Sequence, residues 1–302
     1  MDAFKDNTAR RKKMDALFAV IGLLATFVGM ITLAALILDL AIDGFGRLSH
    51  DFFTSFPSRF ASRAGILTAW VGTTLVMLVT AFTAVPMGVA AGIYLEEYAG
   101  KNWLTAIIEI NIANLAGVPS IVYGLMALGL FVYQLRLGQS ILTAGLTLAL
   151  LILPIVIVAT RESIRAVPGS IREAAYALGA TKWQTVKDHV IPYSTGGILT
   201  GVIIALSRAI GETAPLITIG ALTFIAFLPG SPFTSEFPFI SFEWLMSPFT
   251  VMPIQMFNWI SRPQQEFHLN AAAAGLVLMV MTLAMNAVAI YLRYRFRKRI
   301  KW

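Results

Sequence analysis

The most informative absence in the 302-residue sequence is cysteine. A chain without thiols has no disulfide framework, no iron–sulfur cluster and no thiolate metal site. The three histidines, His50, His189 and His268, lie far apart in the sequence and do not form a ligand motif. We therefore expect no metal site in this chain.

Charged residues are also scarce. They make up 13% of the chain, whereas an ordinary soluble domain has about 25%, and 57% of the residues are hydrophobic. This composition is typical of a polytopic membrane protein. The formal net charge of +7 does not indicate nucleic-acid binding, because the basic residues cluster at the chain ends and in one loop, as the positive-inside rule predicts.

Motifs for nucleotide hydrolysis and for common catalytic sites are missing as well. The sequence contains no GxxxxGK[ST] phosphate loop, no HExxH, no GxSxG and no EF-hand loop. We therefore predict that the chain is not an enzyme and binds no cofactor of its own.

What the sequence does contain is a set of six long apolar runs, so that we predict an all-α integral membrane protein with one domain over residues 1–302. Each run is long enough to cross the hydrocarbon core of a bilayer. The predicted spans are 16–41, 67–94, 104–133, 140–159, 196–220 and 270–292, and Pro119 interrupts the third. The segment 221–269 has no clean span and is predicted to be a periplasmic loop.

The distribution of lysine and arginine predicts the orientation. One side of the membrane would carry 17 basic residues, in the N-terminal segment, the loops 95–103 and 161–195, and the tail. The other side would carry 5. The positive-inside rule then places both termini and the loop 161–195 in the cytoplasm.

The loop 161–195 contains a charged helical elbow. Two pairs have the spacing of a capping box, namely Ser170 with Glu173 and Thr181 with Gln184. They predict two short helices, 171–178 and 182–190, with Gly179 in the left-handed turn between them. Pro192 is predicted to end the second helix.

This elbow resembles the EAA loop of ABC importer permeases. The residues that carry the likeness are Glu173, Ala174, Ala175, Gly179 and Pro192, at the family's spacing; His189 and Ile191 depart from its usual residues. The resemblance implies the type I importer permease fold. It also implies that the elbow is a pair of coupling helices that dock on a separate ATPase subunit, which uses ATP and Mg²⁺.

Two further segments resemble the permeases of phosphate-specific ABC importers, and the A-type permease in particular. They read SRAIGETAPL, from Ser207 to Leu216, and PIQMFNWISRPQQEF, from Pro253 to Phe267. The resemblance implies a bacterial inner-membrane assembly with a second, C-type permease, two ATP-binding subunits and a periplasmic phosphate-binding protein. Its surroundings would be membrane lipid, and no nucleic acid is implied.

An arginine inside the fifth span supports this function on physical grounds. Arg208 lies about 18 Å along the helix from Gly196, near mid-membrane, where a charged side chain marks a candidate functional site. Glu212 is four residues further on and shares its helix face. The predicted substrate path comprises Arg208, Glu212, Ser207 and Thr213. A structural ion pair that joins two helices is the alternative role for the charged pair.

Two other polar or aromatic groups receive weaker predictions. We expect Glu109, Asn111 and Asn114 to form hydrogen bonds between helices rather than to line the cytoplasmic mouth. The aromatic residues Trp244, Phe249 and Trp259 fit either interfacial anchors or a region that contacts the binding protein.

Three other functions stay open at this stage. The chain could belong to an importer of another oxyanion, because an arginine by itself indicates only an anion. An ion-driven secondary transporter would normally show two related halves, which we do not find. A membrane enzyme would need a cluster of catalytic groups, and the sequence offers none.

Overall fold

The computed structural model describes residues 2–100, 102–231 and 241–299. Within these ranges the chain is helical, and its only β-type pairing is an isolated bridge between Ser140 and Pro248. The α-helices are α1 (Asp2–Phe45), α2 (His50–Thr54), α3 (Leu67–Ile93), α4 (Trp103–Leu115), α5 (Ser120–Ala127), α6 (Ile141–Arg165), α7 (Gly169–Ala177), α8 (Lys182–Thr185), α9 (Ile191–Ile210), α10 (Ala214–Thr218), α11 (Met252–Ile260) and α12 (Gln265–Arg299).

Five stretches are long and apolar enough to cross a membrane as single helices. They are Arg11–Phe45, Leu67–Tyr98, Ile141–Arg165, Lys182–Ile210 and Gln265–Arg295. Helices α4 and α5 form a bent pair that adds a sixth crossing if the two count as one span. The sequence-based prediction of an all-α membrane protein is confirmed.

The third predicted span, 104–133, is wrong as a continuous helix. Helix α4 and the stretch Ser120–Gln134 meet at an angle of 105°. Pro119 has no N–H to donate and restricts the residue before it to extended conformations, so the chain leaves the helix here and starts again at Ser120. The Tyr123 hydroxyl donates to the Leu115 carbonyl over 2.8 Å, which satisfies one of the acceptors freed at the end of α4.

The fifth predicted span, 196–220, also differs from the structure. The helix begins earlier, at Lys182, and ends at Ile210. The short helix α10 then holds Pro215 in its first turn. A proline suits that position because the N–H groups there have no partner within the helix, so the chain breaks ahead of Pro215 instead of kinking at it.

The elbow confirms two local predictions. Gly179 adopts φ +82°, the left-handed conformation expected between the two helices, and the Ala180 N–H closes the turn by donating to the Ala175 carbonyl. Thr181 and Gln184 form the predicted capping box.

Two other predictions for the elbow are wrong. Ser170 and Glu173 do not cap α7, because Pro168 takes the N-cap position and places Ser170 inside the first turn. Pro192 does not end the second helix. The π-helical turn Val186–Val190 precedes it, and this wider turn lets α8 run on into α9, since the missing N–H and bulky ring of a proline are tolerated where the regular hydrogen-bond pattern is already interrupted.

Helix α6 forms the centre of the bundle and packs between α3 and α9. The backbones approach closely where small residues lie at the contact, as membrane helices commonly do. A Cβ atom added to Gly88 of α3 would lie 2.7 Å from Val156 of α6. On the other side, Gly201 of α9 leaves no room for a Cβ beside Ala159.

Helix α1 stands apart from this core. The most apolar part of its span has no buried residue. Its C-terminal end contacts the start of α12, where Gly44 lies against the backbone of Ala272 and Ala273. Most of α1 therefore presents an apolar surface to its surroundings.

Three aromatic residues of the long segment after α10 are buried. Trp244, Phe249 and Trp259 have exposed fractions of 7%, 2% and 0%. Interfacial anchoring is therefore wrong for these three residues, because anchors need contact with the lipid headgroups. Residues 232–240 of the same segment lie outside the described ranges.

Candidate functional site

The charged pair predicted in the fifth span lies at the end of α9. Arg208 Nε is 3.3 Å from Glu212 Oε1. The Arg208 side chain is 41% exposed, whereas that of Glu212 is 19% exposed. A guanidinium has five N–H donors, and this contact uses Nε, so the terminal nitrogens can bind a second acceptor.

Glu212 owes its position to the break between α9 and α10. Its N–H donates to the Ala209 carbonyl, so the chain completes one more turn after the helix ends. Thr213 then takes the N-cap position of α10 without a side-chain capping bond. The break thus places the carboxylate of Glu212 directly beside the guanidinium of Arg208.

The two broken spans meet near this pair. Helices α5 and α10 pack so closely that a Cβ on Gly124 would lie 2.7 Å from Pro215. The buried Tyr123 of α5 is near enough for the charge of Arg208 to act on its hydroxyl group. In many transporters, discontinuous helices of this kind bind the substrate or coupling ions where they are interrupted.

Ser207 points away from the charged pair. Its hydroxyl lies 2.7 Å from Asn286 Oδ1 on α12 and 2.8 Å from the Ile203 carbonyl. The structure therefore brings Arg208 and Glu212 together, keeps Thr213 at the adjoining break, and separates Ser207 from them. Sequence reasoning did not select Tyr123 or Asn286. Asn286 could have been identified from the sequence as a polar residue within an apolar span.

The elbow forms a second candidate site, with an exposed apolar surface. Leu178, Trp183 and Tyr176 have exposed fractions of 89%, 59% and 45%. In the predicted EAA segment, Glu173 and Ala174 are exposed and Ala175 is buried. Exposed apolar residues grouped within one short stretch of chain make the elbow a candidate contact surface.

Ion pairs tie the elbow to the membrane helices. Arg172 of α7 contacts Glu97 over 2.7 Å and donates to the carbonyls of Val167 and Ile164. Glu97 belongs to the π-helical turn Tyr94–Tyr98 at the end of α3. The elbow is therefore joined to the end of α3 by a contact that is largely shielded from solvent.

A neighbouring ion-pair cluster reaches α4. Arg161 of α6 lies 2.7 Å from Glu109 and 3.5 Å from Glu96, so Glu109 joins two helices, as predicted. For Asn111 the prediction is wrong, because its amide donates to the Ile107 carbonyl within α4. Asn114 is exposed.

The fold, the interrupted spans and the elbow together define a permease of the type I ABC importer class. The chain belongs to the family described as "binding-protein-dependent transport system inner membrane component", whose sequence profile matches residues 84–302. It is therefore a multi-pass membrane protein.

Relatives across the full length support this membership. The chain is 32% identical to the "phosphate transport system permease protein PstA" of Yersinia pestis, covering 99% of this chain and 95% of the relative. It is 31% identical to the "probable ABC transporter permease protein YqgI" of Bacillus subtilis, covering 92% and 94%. A chain in the crystal structure of a bacterial alginate ABC transporter has the same fold, with a TM-score of 0.65, 14% identity and coverage of 95% and 96%.

Proposed function

We propose that the chain is the A-type permease subunit of an ATP-driven importer of inorganic phosphate. It forms half of the translocation path, and a second, C-type permease forms the other half. The observation that carries the proposal is the half-exposed Arg208, held by Glu212 at the end of α9 in a chain with few charged residues. Several full-length relatives with the name of phosphate transport permeases support the choice of anion.

In this proposal Arg208 binds the phosphate as it passes the break between α9 and α10. The guanidinium fork suits two oxygen atoms of a tetrahedral anion. Glu212 neutralises Arg208 when the path is empty, and it accepts a hydrogen bond from the P–OH group when phosphate is bound. Sulfate carries no proton at neutral pH, so it would bring oxyanion charge towards the carboxylate without a hydrogen bond to offset the repulsion. Thr213 borders the same part of the path.

The proposed partners follow from what the chain lacks. Two separate ATPase subunits bind and hydrolyse ATP with Mg²⁺, and their motion enters through the elbow, where Leu178 and Trp183 form the docking surface and Glu173, Ala174, Ala175, Gly179 and Pro192 shape it. A periplasmic phosphate-binding protein delivers the anion. Both termini and the elbow lie on the cytoplasmic side, in line with the lysine and arginine distribution.

Phosphate uptake by Arg208→Gln tests the function. The variant removes the charge but keeps a polar, shorter side chain, and we expect uptake of labelled phosphate to fall about tenfold or more, since a hydrogen bond to a charged group is lost. Arg59→Gln is the matched control. Arg59 is an exposed arginine beside Phe60, far from the break in sequence, and its variant should transport normally.

Two results decide between the alternatives. Normal uptake by Arg208→Gln in a fully assembled complex would remove Arg208 from the path. Equal inhibition of phosphate uptake by sulfate and by unlabelled phosphate would instead favour an importer of another oxyanion.

A further inference from the structure

Two polar contacts join α9 to α12. The Ser207 hydroxyl lies 2.7 Å from Asn286 Oδ1, and Arg293 Nη1 donates to Thr200 Oγ1 over 2.8 Å. On each helix the two contacting residues are seven positions apart. Their order is reversed, because Thr200 precedes Ser207 on α9, whereas its partner Arg293 follows Asn286 on α12. Because seven residues make about two turns, both contacts lie on one face of α9 and on one face of α12.

The other packing face of α9 is different in kind. Towards α6 it presents glycine, at positions 197 and 201, and such contacts hold helices close through dispersion alone. Close packing of this kind also resists rotation of α9 about its axis, because rotation would bring a larger side chain into a space that has no room for a Cβ atom. The two polar contacts with α12 add a directional restraint on the rotation of α9.

The rotation of α9 decides where Arg208 points. Arg208 follows Ser207 directly, and successive residues of a helix differ in direction by about 100°. While Ser207 is held against Asn286, the guanidinium of Arg208 is turned away from α12, towards Glu212. The contact at Thr200 lies two turns away and holds the helix less firmly at this level.

We propose that Asn286, acting through Ser207, is a positioning residue that sets the orientation of Arg208 in the anion path. Ser207 then holds α9 against α12 and does not contact the anion. The inference rests on the proposed function, because it takes Arg208 to be the group that meets the substrate.

The absence of native cysteine makes a direct test available. Arg208→Cys places the only thiol of this chain at the position in question. Its rate of modification by a membrane-impermeant methanethiosulfonate reagent is measured in the complete transporter, with Asn286 intact and with Asn286→Leu. We expect the two rates to differ about threefold or more, the factor that corresponds to an average hydrogen bond between membrane helices.

Three variants make the test specific. Ser207→Ala should reproduce the effect of Asn286→Leu, whereas Ser207→Thr should keep the original rate because it retains the hydroxyl group. Thr282→Val is the matched control on α12. The Thr282 hydroxyl bonds to the Leu278 carbonyl of its own helix, so this variant should leave the rate unchanged, and recovery of the partner subunits with each variant verifies assembly.

The two proposals fail in different ways. Equal rates with and without Asn286 overturn the positioning role, whether those rates are high or zero. Equal and measurable rates leave Arg208 in a water-accessible path, so the proposed function survives. A rate of zero in both backgrounds also contradicts that function, because no aqueous path then reaches position 208.

Discussion

At the scale of single residues, the unequal exposure of Arg208 and Glu212 is the most informative feature of the structure. An arginine at the centre of a membrane helix costs about 2.5–3.5 kcal/mol on insertion scales, and Arg208 lies two residues before the end of α9, where part of this cost remains. A purely structural pair would reduce this cost most effectively by burying both groups against each other. Instead, the guanidinium is 41% exposed and the carboxylate is 19% exposed, an arrangement that favours the binding of an anion from a water-filled path.

The selectivity against sulfate is predicted to depend on Glu212. In Glu212→Gln the negative charge is gone, so sulfate no longer meets repulsion at Arg208. We expect sulfate to become a competitor of phosphate uptake, with a change in the ratio of inhibition constants of about tenfold or more, since hydrogen bonds to charged groups carry the discrimination. Competition assays with labelled phosphate measure the ratio. An unchanged ratio in the variant would contradict the role of Glu212.

At the scale of elements, the elbow has two connections to the membrane helices. The continuous helix Lys182–Ile210 links it directly to Arg208. The ion pair between Arg172 and Glu97, over 2.7 Å, links it to the end of α3. Sequence reasoning expected only the first connection. The second one makes α3 a further element in direct contact with the elbow.

Loss of the Glu97 charge should weaken this second connection. The Glu97 side chain is 7% exposed and that of Arg172 is 22% exposed, so removing one partner leaves a poorly solvated charge. For Glu97→Gln we expect a loss of about 3 kcal/mol in the free energy of unfolding, measured by unfolding in mixed detergent micelles.

The matched control for Glu97→Gln is Glu162→Gln. Glu162 pairs with Arg165, and both side chains are more than half exposed. An exposed pair contributes about 1 kcal/mol or less, so this variant should unfold almost like the unmodified protein. Equal, small losses for both variants would show that the pair between α7 and α3 does not hold the elbow.

At the scale of the whole molecule, two of the surfaces that the chain itself leaves uncovered in its described part bear on the assembly. One is the apolar length of α1, which contacts the rest of the chain near its C-terminal end. The other is the elbow, with Leu178 89% exposed and Trp183 59% exposed. A membrane can cover the first surface. The elbow carries charged residues as well, and in the proposed assembly the ATPase subunit covers it.

Docking of the ATPase is predicted to fail in Leu178→Glu. The substitution places a charge in the middle of the proposed contact without removing any packing from the permease itself. We expect the amount of ATPase subunit that co-purifies to fall about tenfold or more, as for a central residue of an interface. Leu135→Glu serves as the control. Leu135 is 55% exposed and lies shortly before the start of α6, which is the end of that helix remote from the elbow. Equal recovery of the ATPase with both variants would contradict the docking surface.

Local features were predictable where they depend on neighbouring residues. The left-handed Gly179 and the capping box of Thr181 and Gln184 are confirmed, because each needs only residues within one turn. The capping box at Ser170 is wrong because the neighbouring Pro168 took the N-cap position. The ends of the predicted spans were the least accurate, since apolar composition does not indicate where a helix bends.

The sequence by itself determined that this protein is an all-α membrane protein with an elbow of the importer type. The physical reason is that hydrocarbon solvation, helix length and turn chemistry all act over short stretches of chain. Tertiary structure alone decided how the broken spans meet, that Glu97 receives Arg172, and that Ser207 meets Asn286 instead of the charged pair. These contacts join residues 75 and 79 positions apart, and the packing of whole helices sets them.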